Sequence, residues 1–173
     1  MWFNKLLDLG EESEFIHEKL SLSYAQNSDY EDAIAHREEA LKYNPYDANA
    51  IYVIGNYYER LHKFEKAEEY ISKALKIMDR PLSHEYKRLA YVLNRQKKYE
   101  QAIKAYQKAL KEDPSDEMIE FYIIRTKDEY YEDTNTKIKM YKDYIKKHEK
   151  SIFKRFAEDR LKQLKEEKFL QED

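Results

Sequence analysis

Residues 49–74, NAIYVIGNYYERLHKFEKAEEYISKA, contain two amphipathic stretches separated by a short polar turn. The first stretch carries Ile54 and Gly55 on its apolar side, and the second carries Ala67 and Ile71. Apolar and small residues at intervals of three and four positions predict helices with one buried face. The segment therefore predicts an αα-hairpin, and its small residues mark where the two helices come close together.

The same pattern recurs on both sides of this hairpin. Upstream, marker residues stand 34 positions before their counterparts, at Leu20, Tyr24, Tyr30, Ala33 and Ala40. Downstream, they stand 35 positions after their counterparts, at Leu89, Tyr99, Ala102, Tyr106 and Ala109. One residue added near Pro81 accounts for the longer interval. A regular period with helical spacing inside each copy predicts a stack of helix pairs that share one core.

From residue 14 to residue 116 the hairpins resemble the tetratricopeptide repeat family, and a weaker likeness continues to residue 148. The family has a small residue followed by tyrosine in the first helix, and alanine, an aromatic residue and alanine in the second. Leu93 replaces the tyrosine in one copy, Arg37 replaces the aromatic residue in another, and Asp79 stands where proline is usual. Small residues are required at these positions, because helices packed about 8–10 Å apart leave no room for bulky side chains at their contact.

The resemblance implies an all-α fold, a right-handed α-solenoid of three clear hairpins with a degenerate fourth hairpin and a C-terminal capping helix. The expected parts are an N-terminal flap or short helix at 1–13, the solenoid at 14–148 and the capping helix at 150–170. Within the solenoid, the hairpins are expected at about 14–47, 48–81, 83–116 and 117–148.

Three local features add to this organisation. Ser28 and Glu31 form the pattern of a capping box, which predicts side-chain capping at the start of a second helix. Trp2 and Phe3 predict an apolar face that either covers the first hairpin or anchors the chain to a membrane surface or a partner. The last helix is expected to close the core with one apolar side, since solenoids need a terminal helix with a polar outer face. That side comprises Phe153, Phe156, Ala157, Leu161 and Leu164.

The composition narrows the possible functions. The net charge of −3 disfavours general nucleic-acid binding, and the lack of cysteine excludes disulfides and thiolate metal sites. With two glycines there is no Gly-rich phosphate loop, and the five histidines lack metal-binding spacing. No apolar run reaches the roughly 20 residues that cross a membrane. We therefore expect a soluble, cytoplasmic protein that is not an enzyme and carries no cofactor or metal.

Members of the tetratricopeptide family hold peptide segments of other proteins in a concave groove lined by the first helices of their hairpins. The residues that match groove positions are Phe15, Leu22, Tyr52, Asn56, Arg60, Lys87, Tyr91, Arg95 and Tyr122. Tyrosine and arginine are enriched at binding hot spots, and arginine can form forked bonds to a carboxylate. The expected ligand is therefore a short segment with an aromatic or apolar anchor and at least one acidic group.

The co-chaperone branch of the family binds carboxylates through lysine, asparagine and arginine at five fixed positions. Those positions hold Glu18, Leu22, Val53, His84 and Arg88 in this sequence. Only Arg88 agrees with the branch, and Glu18 would repel a carboxylate. We therefore do not expect a chaperone tail as the ligand.

Three functions follow in order of preference. The first is a protein-interaction module that binds a peptide or helical segment of a partner protein. The second is a self-associating structural or assembly scaffold, for example a homodimer, formed through incomplete capping or through the tyrosine-rich fourth hairpin. The third is an RNA-processing helical repeat, which the acidic charge balance disfavours.

Overall fold

Ten α-helices make up the regular structure of the part of the chain that the computed structural model describes, residues 2–78 and 82–172. They form two compact units, Met1–Arg80 (unit 1) and Pro81–Asp173 (unit 2). Asp79, Pro81 and the expected end of the second hairpin lie outside the described residues. Within the described residues, no helix combines the length and the apolar character that a membrane crossing requires.

Unit 1 contains one short helix followed by two hairpins. Its helices are α1 (Trp2–Asp8), α2 (Glu14–Gln26), α3 (Tyr30–Leu41), α4 (Ala48–Arg60) and α5 (Phe64–Ile77). Each helix packs against the next one in the chain. After α1, Gly10 has a φ of 78°, a left-handed conformation that glycine adopts without a steric penalty. The ring of Phe3 then meets Phe15 of α2 edge to face, with 6.2 Å between the ring centroids.

Unit 2 contains two hairpins followed by one long helix. Its helices are α6 (Ser83–Arg95), α7 (Tyr99–Glu112), α8 (Glu117–Tyr130), α9 (Thr134–Lys147) and α10 (Lys154–Glu172). Successive helices pack against one another here as well. The all-helical class, the three clear hairpins, the degenerate fourth and the closing helix that the sequence predicts are thereby confirmed.

Aspartate and serine side chains cap the N-termini of α2, α4, α8 and α9, whereas α6 begins after Leu82 with no side-chain cap. The carboxylate of Asp47 accepts hydrogen bonds from the backbone N–H groups of Asn49 and Ala50 at 2.9 and 3.1 Å. Ser13, Asp116 and Asp133 cap α2, α8 and α9 in the same way. These bonds satisfy backbone donors that the first turn of a helix leaves unpaired.

The turn inside each of the first three hairpins contains a residue in the left-handed conformation. Ser28, His62 and Lys97 have φ angles of 67°, 57° and 60° and stand 34 and 35 positions apart. Glycine is the usual residue where a helix ends in this conformation. The capping box predicted for Ser28 and Glu31 is therefore wrong. Ser28 belongs to the end of α2, and α3 starts after Asp29 with no side-chain cap.

The helices of the second hairpin meet at Gly55. A Cβ atom at this position would lie 2.8 Å from Cγ1 of Ile71 and 3.3 Å from the carbonyl oxygen of Ala67. Ala67 and Ile71 are themselves completely buried. The contact between α4 and α5 therefore depends on small residues at the predicted positions, as close helix packing requires.

The last helix closes the core of unit 2 with fewer side chains than the sequence predicts. Ala157 and Leu164 are buried, and Leu161 and Phe153 are partly buried against the same cluster. Phe156, expected on this side, is 61% exposed and meets the cluster at its edge, where its ring centroid lies 6.3 Å from that of Phe121. Phe156 therefore contributes less to this core than the sequence predicts.

A buried carboxylate connects α10 to α8. Asp128 accepts hydrogen bonds from Nε of Arg160 at 2.7 Å and from the hydroxyl of Tyr141 at 3.1 Å, and Nζ of Lys137 lies 3.3 Å away. Burial alone would raise the pKa of Asp128, but these partners outweigh burial and the pKa is lowered. The carboxylate therefore stays ionised and holds the last helix in place.

Two histidines face each other in unit 1. Nδ1 of His17 lies 3.1 Å from Nδ1 of His36, and the ring of Tyr24 stacks on His36. A hydrogen bond between two imidazole nitrogens requires that one of them lacks a proton. Burial, followed by the charge of His17, lowers the pKa of His36 from its ordinary value of 6.5, although Asp32 and Glu39 act in the opposite direction.

This pair should make the protein less stable in mild acid. As the pH falls below about 6.5, His36 takes up a proton more readily in the unfolded chain than in the folded one, so the free energy of unfolding should fall. We expect urea denaturation at pH 7.5 and pH 5.5 to show a smaller loss of stability for His36→Gln than for the original sequence. Equal losses would contradict the assignment.

Candidate functional site

A cavity of about 790 Å³ opens in unit 2 between α6 and α8, with α7 behind it. From α6 and the turn that follows it, the lining residues are His84, Lys87, Arg88, Tyr91, Asn94, Arg95 and Lys97. From α7 and α8, they are Tyr99, Tyr106, Met118, Tyr122, Arg125, Thr126 and Glu129. We call this cavity the unit 2 pocket. Its size is within the usual range for ligand pockets in proteins.

Two polar contacts join the walls of the pocket. The side-chain amide of Asn94 on α6 donates to the hydroxyl of Thr126 on α8 at 2.7 Å, and that hydroxyl donates to the carbonyl of Tyr122 at 2.8 Å. At the other end, Nζ of Lys87 on α6 lies 2.8 Å from Oδ2 of Asp116, which also caps α8. These contacts hold α6 and α8 at a fixed distance, so the pocket is formed before any ligand arrives.

The same aspartate anchors both a helix and a lysine. Burial would raise the pKa of Asp116, but the hydrogen bond from Lys87 and the backbone N–H groups of Ile119 and Met118 outweigh it and lower the pKa. The carboxylate therefore remains charged at neutral pH. Lys87 is consequently held in position at the pocket wall, and part of its charge is balanced.

Aromatic rings form the back of the pocket. Tyr106 is buried and stacks on Tyr122, with 5.8 Å between the ring centroids. Burial, with a smaller contribution from Tyr122, raises the pKa of Tyr106, so the phenol stays neutral. Tyr91 stands at the front and is 42% exposed. The pocket therefore offers one ring for contact and a neutral aromatic surface behind it.

Positive charge dominates the rim. Arg88, Arg95, Lys97 and Arg125 line the pocket in addition to Lys87, whereas among the described lining residues Glu129 is the one carboxylate. The whole chain carries a net charge of −3, so this balance is local. A cavity lined by one sign of charge attracts ligands of the opposite sign.

Four of the nine predicted groove residues come together in this pocket: Lys87, Tyr91, Arg95 and Tyr122. The other five belong to unit 1. Phe15 and Leu22 are 57% and 46% exposed, Arg60 is exposed and Asn56 is half-buried with a buried Oδ1 that has no hydrogen-bond partner. Tyr52 is only 8% exposed, so it presents little surface to a ligand.

Ten lining residues are absent from the predicted set, and helical periodicity could have found several of them. Arg125, Thr126 and Glu129 follow Tyr122 by three, four and seven positions, which places them on the same face of α8. The family pattern fades in the fourth hairpin, so its offsets did not extend beyond Tyr122. Tyr99 and Tyr106 are repeat markers in the sequence, and the ring of Tyr106 lies mostly in the core.

One group of acidic side chains in unit 1 has the spacing of a metal site. Oxygen atoms of Glu14, Glu18 and Asp47 lie within 4.8 Å of one another. Two of these residues already have structural roles. Glu18 accepts a hydrogen bond from Arg37 at 2.8 Å, and Asp47 caps α4. The group is therefore explained by the packing of α2, α3 and α4.

Comparisons with solved structures show the fold. A MamA protein from Desulfovibrio magneticus RS-1 is 16% identical, with coverage of 84% of this chain and 81% of that one, and a TM-score of 0.71. YrrB, described as a TPR protein with an unusual peptide-binding site, is 19% identical, with coverage of 83% and 73% and a TM-score of 0.64. The first TPR of Spaghetti (RPAP3), bound to the HSP90 peptide SRMEEVD, is 20% identical, with coverage of 68% and 92% and a TM-score of 0.61.

Sequence comparisons give the family. No curated protein matches the sequence. Family profiles described as Tetratricopeptide repeat match residues 19–80 and 85–116, which together make up more than half of the chain. The matched segments contain α3, α4, α5 and α7 completely and α2 and α6 in part. This chain therefore belongs to the tetratricopeptide repeat family.

Proposed function

We propose that this protein is a non-enzymatic interaction module whose unit 2 pocket binds a short acidic segment of a partner protein through an aromatic or apolar anchor. The observation that carries the proposal is the lining of that pocket, where tyrosine rings stand among arginine and lysine side chains in an acidic chain. The family supports the general role, since tetratricopeptide hairpins serve as interaction modules. Two structural neighbours are described with peptide sites of their own.

The pocket supplies two kinds of contact for such a segment. Tyr91 and the stacked pair of Tyr106 and Tyr122 offer broad aromatic surface for the anchor. Arg95 and Arg125 can form forked hydrogen bonds to carboxylates on either side of the anchor. Tyrosine and arginine are enriched among the few residues that carry most of the binding energy at protein interfaces.

The walls of the pocket need little rearrangement when a ligand binds. The Asn94–Thr126 and Lys87–Asp116 contacts fix the two walls. A preformed site loses less conformational entropy when it binds. Part of the affinity would come from charge attraction, so binding should weaken as salt is added.

A displayed library of random octapeptides tests this function. We expect peptides with an aromatic residue flanked by Asp or Glu to be enriched on the original protein. The double variant Tyr91→Ala with Arg95→Ala should lose affinity for a fluorescein-labelled selected peptide by on the order of tenfold or more, because it removes the exposed ring and a rim charge.

A matched control removes the same residue types outside the pocket. Tyr131 and Arg155 are exposed residues of unit 2 that do not line the pocket. The variant Tyr131→Ala with Arg155→Ala should bind the selected peptide as the original protein does, and both variants should keep their helical circular dichroism. Enrichment of peptides without acidic residues, or equal binding by the pocket variant, would refute the proposal.

A further inference from the structure

The hydroxyl of Tyr106 is a hydrogen-bonding group that the described part of the chain leaves unused. The side chain lines the unit 2 pocket from α7 and is only 4% exposed. Among the residues that the structure describes, none forms a hydrogen bond with this hydroxyl. The buried Tyr141, by contrast, donates to Asp128 at 3.1 Å. Buried phenols usually have a partner, so the Tyr106 hydroxyl is available to a ligand in the pocket.

A guanidinium group lies close to this hydroxyl. Tyr122 of α8 stacks on the ring of Tyr106, and Arg125 follows Tyr122 by three positions on the same face of α8. Burial raises the pKa of Tyr106, and the phenols of Tyr122 and Tyr91 raise it further, whereas the charge of Arg125 acts in the opposite direction. Charges act strongly only over short distances. The guanidinium group of Arg125 and the Tyr106 hydroxyl are therefore neighbours in the pocket.

The charge of Arg125 is not balanced by a carboxylate. Within the described residues, Arg125 takes part in no ion pair or hydrogen bond, although Glu129 follows it by one helical turn. Lys87, on the opposite wall, is paired with Asp116 at 2.8 Å. The pocket therefore holds one guanidinium group and one neighbouring hydroxyl that can both donate to the same anion.

A phosphate monoester uses this pair of donors better than a carboxylate does. A carboxylate has two oxygens, and a guanidinium group can bind both of them with its forked N–H groups. A phosphate on a side chain has three acceptor oxygens and a charge of about −1.5 to −2 at neutral pH. It therefore keeps a third oxygen for the Tyr106 hydroxyl, and its larger charge suits a rim that also contains Arg95 and Lys97.

We propose that the acidic group bound next to Arg125 is the phosphate of a phosphorylated residue in the partner segment, held by the Arg125 guanidinium group and the Tyr106 hydroxyl. The inference rests on the proposed function of the pocket and names the chemical class of that acidic group. The aromatic or apolar anchor of the segment lies against the exposed ring of Tyr91. Arg95 faces a second acidic residue on the other side of the anchor.

Fluorescence anisotropy with matched peptides tests the phosphate. The probes are one library-selected octapeptide with a glutamate beside its aromatic residue, and the same peptide with phosphoserine or serine in place of that glutamate. We expect the phosphoserine form to bind on the order of tenfold more tightly than the glutamate form, and the serine form to bind least tightly. A fourth form with two glutamates at this place matches the charge of the phosphate and should bind less tightly than the phosphoserine form.

Competition distinguishes a phosphorylated protein segment from other sources of phosphate. Inorganic phosphate lacks the anchor, so it should displace the phosphoserine peptide only at concentrations far above that of the peptide. An RNA octamer, whose phosphodiesters carry one charge each, should not displace it. Displacement by either competitor at a concentration equal to that of the peptide would overturn the proposal.

Two single variants remove the proposed phosphate contacts one at a time. Tyr106→Phe removes one hydroxyl and keeps the ring, and Arg125→Gln removes the positive charge. Each should reduce the preference for phosphoserine over glutamate from about tenfold to about twofold or less. The matched controls are Tyr131→Phe and Arg155→Gln, which change exposed residues outside the pocket and should keep the full preference. An unchanged preference in both pocket variants would overturn the proposal.

The two peptide forms also separate this inference from the function on which it rests. If the glutamate form binds and the phosphoserine form binds no more tightly, the phosphate is refuted and the proposed function stands. If neither form binds, both are refuted.

Discussion

A chain that ends after Lys150, and so lacks α10, should lose at least about 3 kcal/mol of stability in unit 2. The deletion removes Leu164 from its buried position and takes away the ring of Phe153, which stacks on Phe121 at 5.2 Å. It also leaves the buried carboxylate of Asp128 without Arg160. Burying one large apolar side chain contributes about 1.5–3 kcal/mol, and an unpartnered buried charge is costly.

Thermal melting should show this loss as a transition roughly 12 °C lower or more, since 1 kcal/mol shifts the melting temperature of a domain of this size by about 4–8 °C. A dye that binds exposed apolar surface should fluoresce with the shortened chain. The control is a chain that ends after Lys168, because Phe169 and Leu170 are exposed and their removal should leave the melting temperature within about 2 °C. Equal melting of the original and shortened chains would mean that α10 does not close the core.

Replacing Ala67 with leucine should destabilise unit 1 by about 1–3 kcal/mol. Ala67 is completely buried at the place where α5 approaches Gly55 of α4. Even one added Cβ atom on Gly55 would lie 2.8 Å from the side chain of Ile71, so the contact has no room for three more carbon atoms. The helices must separate or the new side chain must leave its preferred rotamer, and both changes cost stability.

Urea denaturation of Ala67→Leu measures this cost. The matched control is Lys73→Leu, which introduces the same side chain on the same helix at an exposed position and should change stability by no more than about 0.5 kcal/mol. Equal midpoints for the two variants would contradict the close packing of α4 and α5.

The hairpins could be predicted because each copy of the repeat has small residues where its two helices come close together. Gly55 and Ala67 are small where the helices touch, and the period carries that information to Ala33 and Ala102. The capping box predicted at Ser28 is wrong although serine favours an N-cap over the left-handed conformation, because the residue pattern does not show where α2 ends. Tertiary packing decided between the two, as it often does at helix ends.

Of the fourteen residues that line the candidate site, four belong to the predicted set. The offsets of α6 gave Lys87, Tyr91 and Arg95, because a regular helix fixes which residues share a face. The contributions of α7 were missed, since Tyr106 belongs both to the core and to the back of the pocket. Periodicity shows only which side of a helix is apolar. It does not show whether a residue on that side, such as Tyr106, also reaches the pocket.

The left-handed turns at Ser28, His62 and Lys97 limit how much further change this chain can absorb. A non-glycine residue in that conformation lowers the free energy of unfolding by about 1 kcal/mol relative to glycine. The three positions together therefore lower it by about 3 kcal/mol. The total free energy of unfolding of a typical domain is only about 5–15 kcal/mol. The repeats are therefore less stable than they would be with glycine at these turns. A destabilising substitution that a glycine-containing relative would tolerate is more damaging here. New binding surfaces could be gained more easily by first restoring glycine at these three turns.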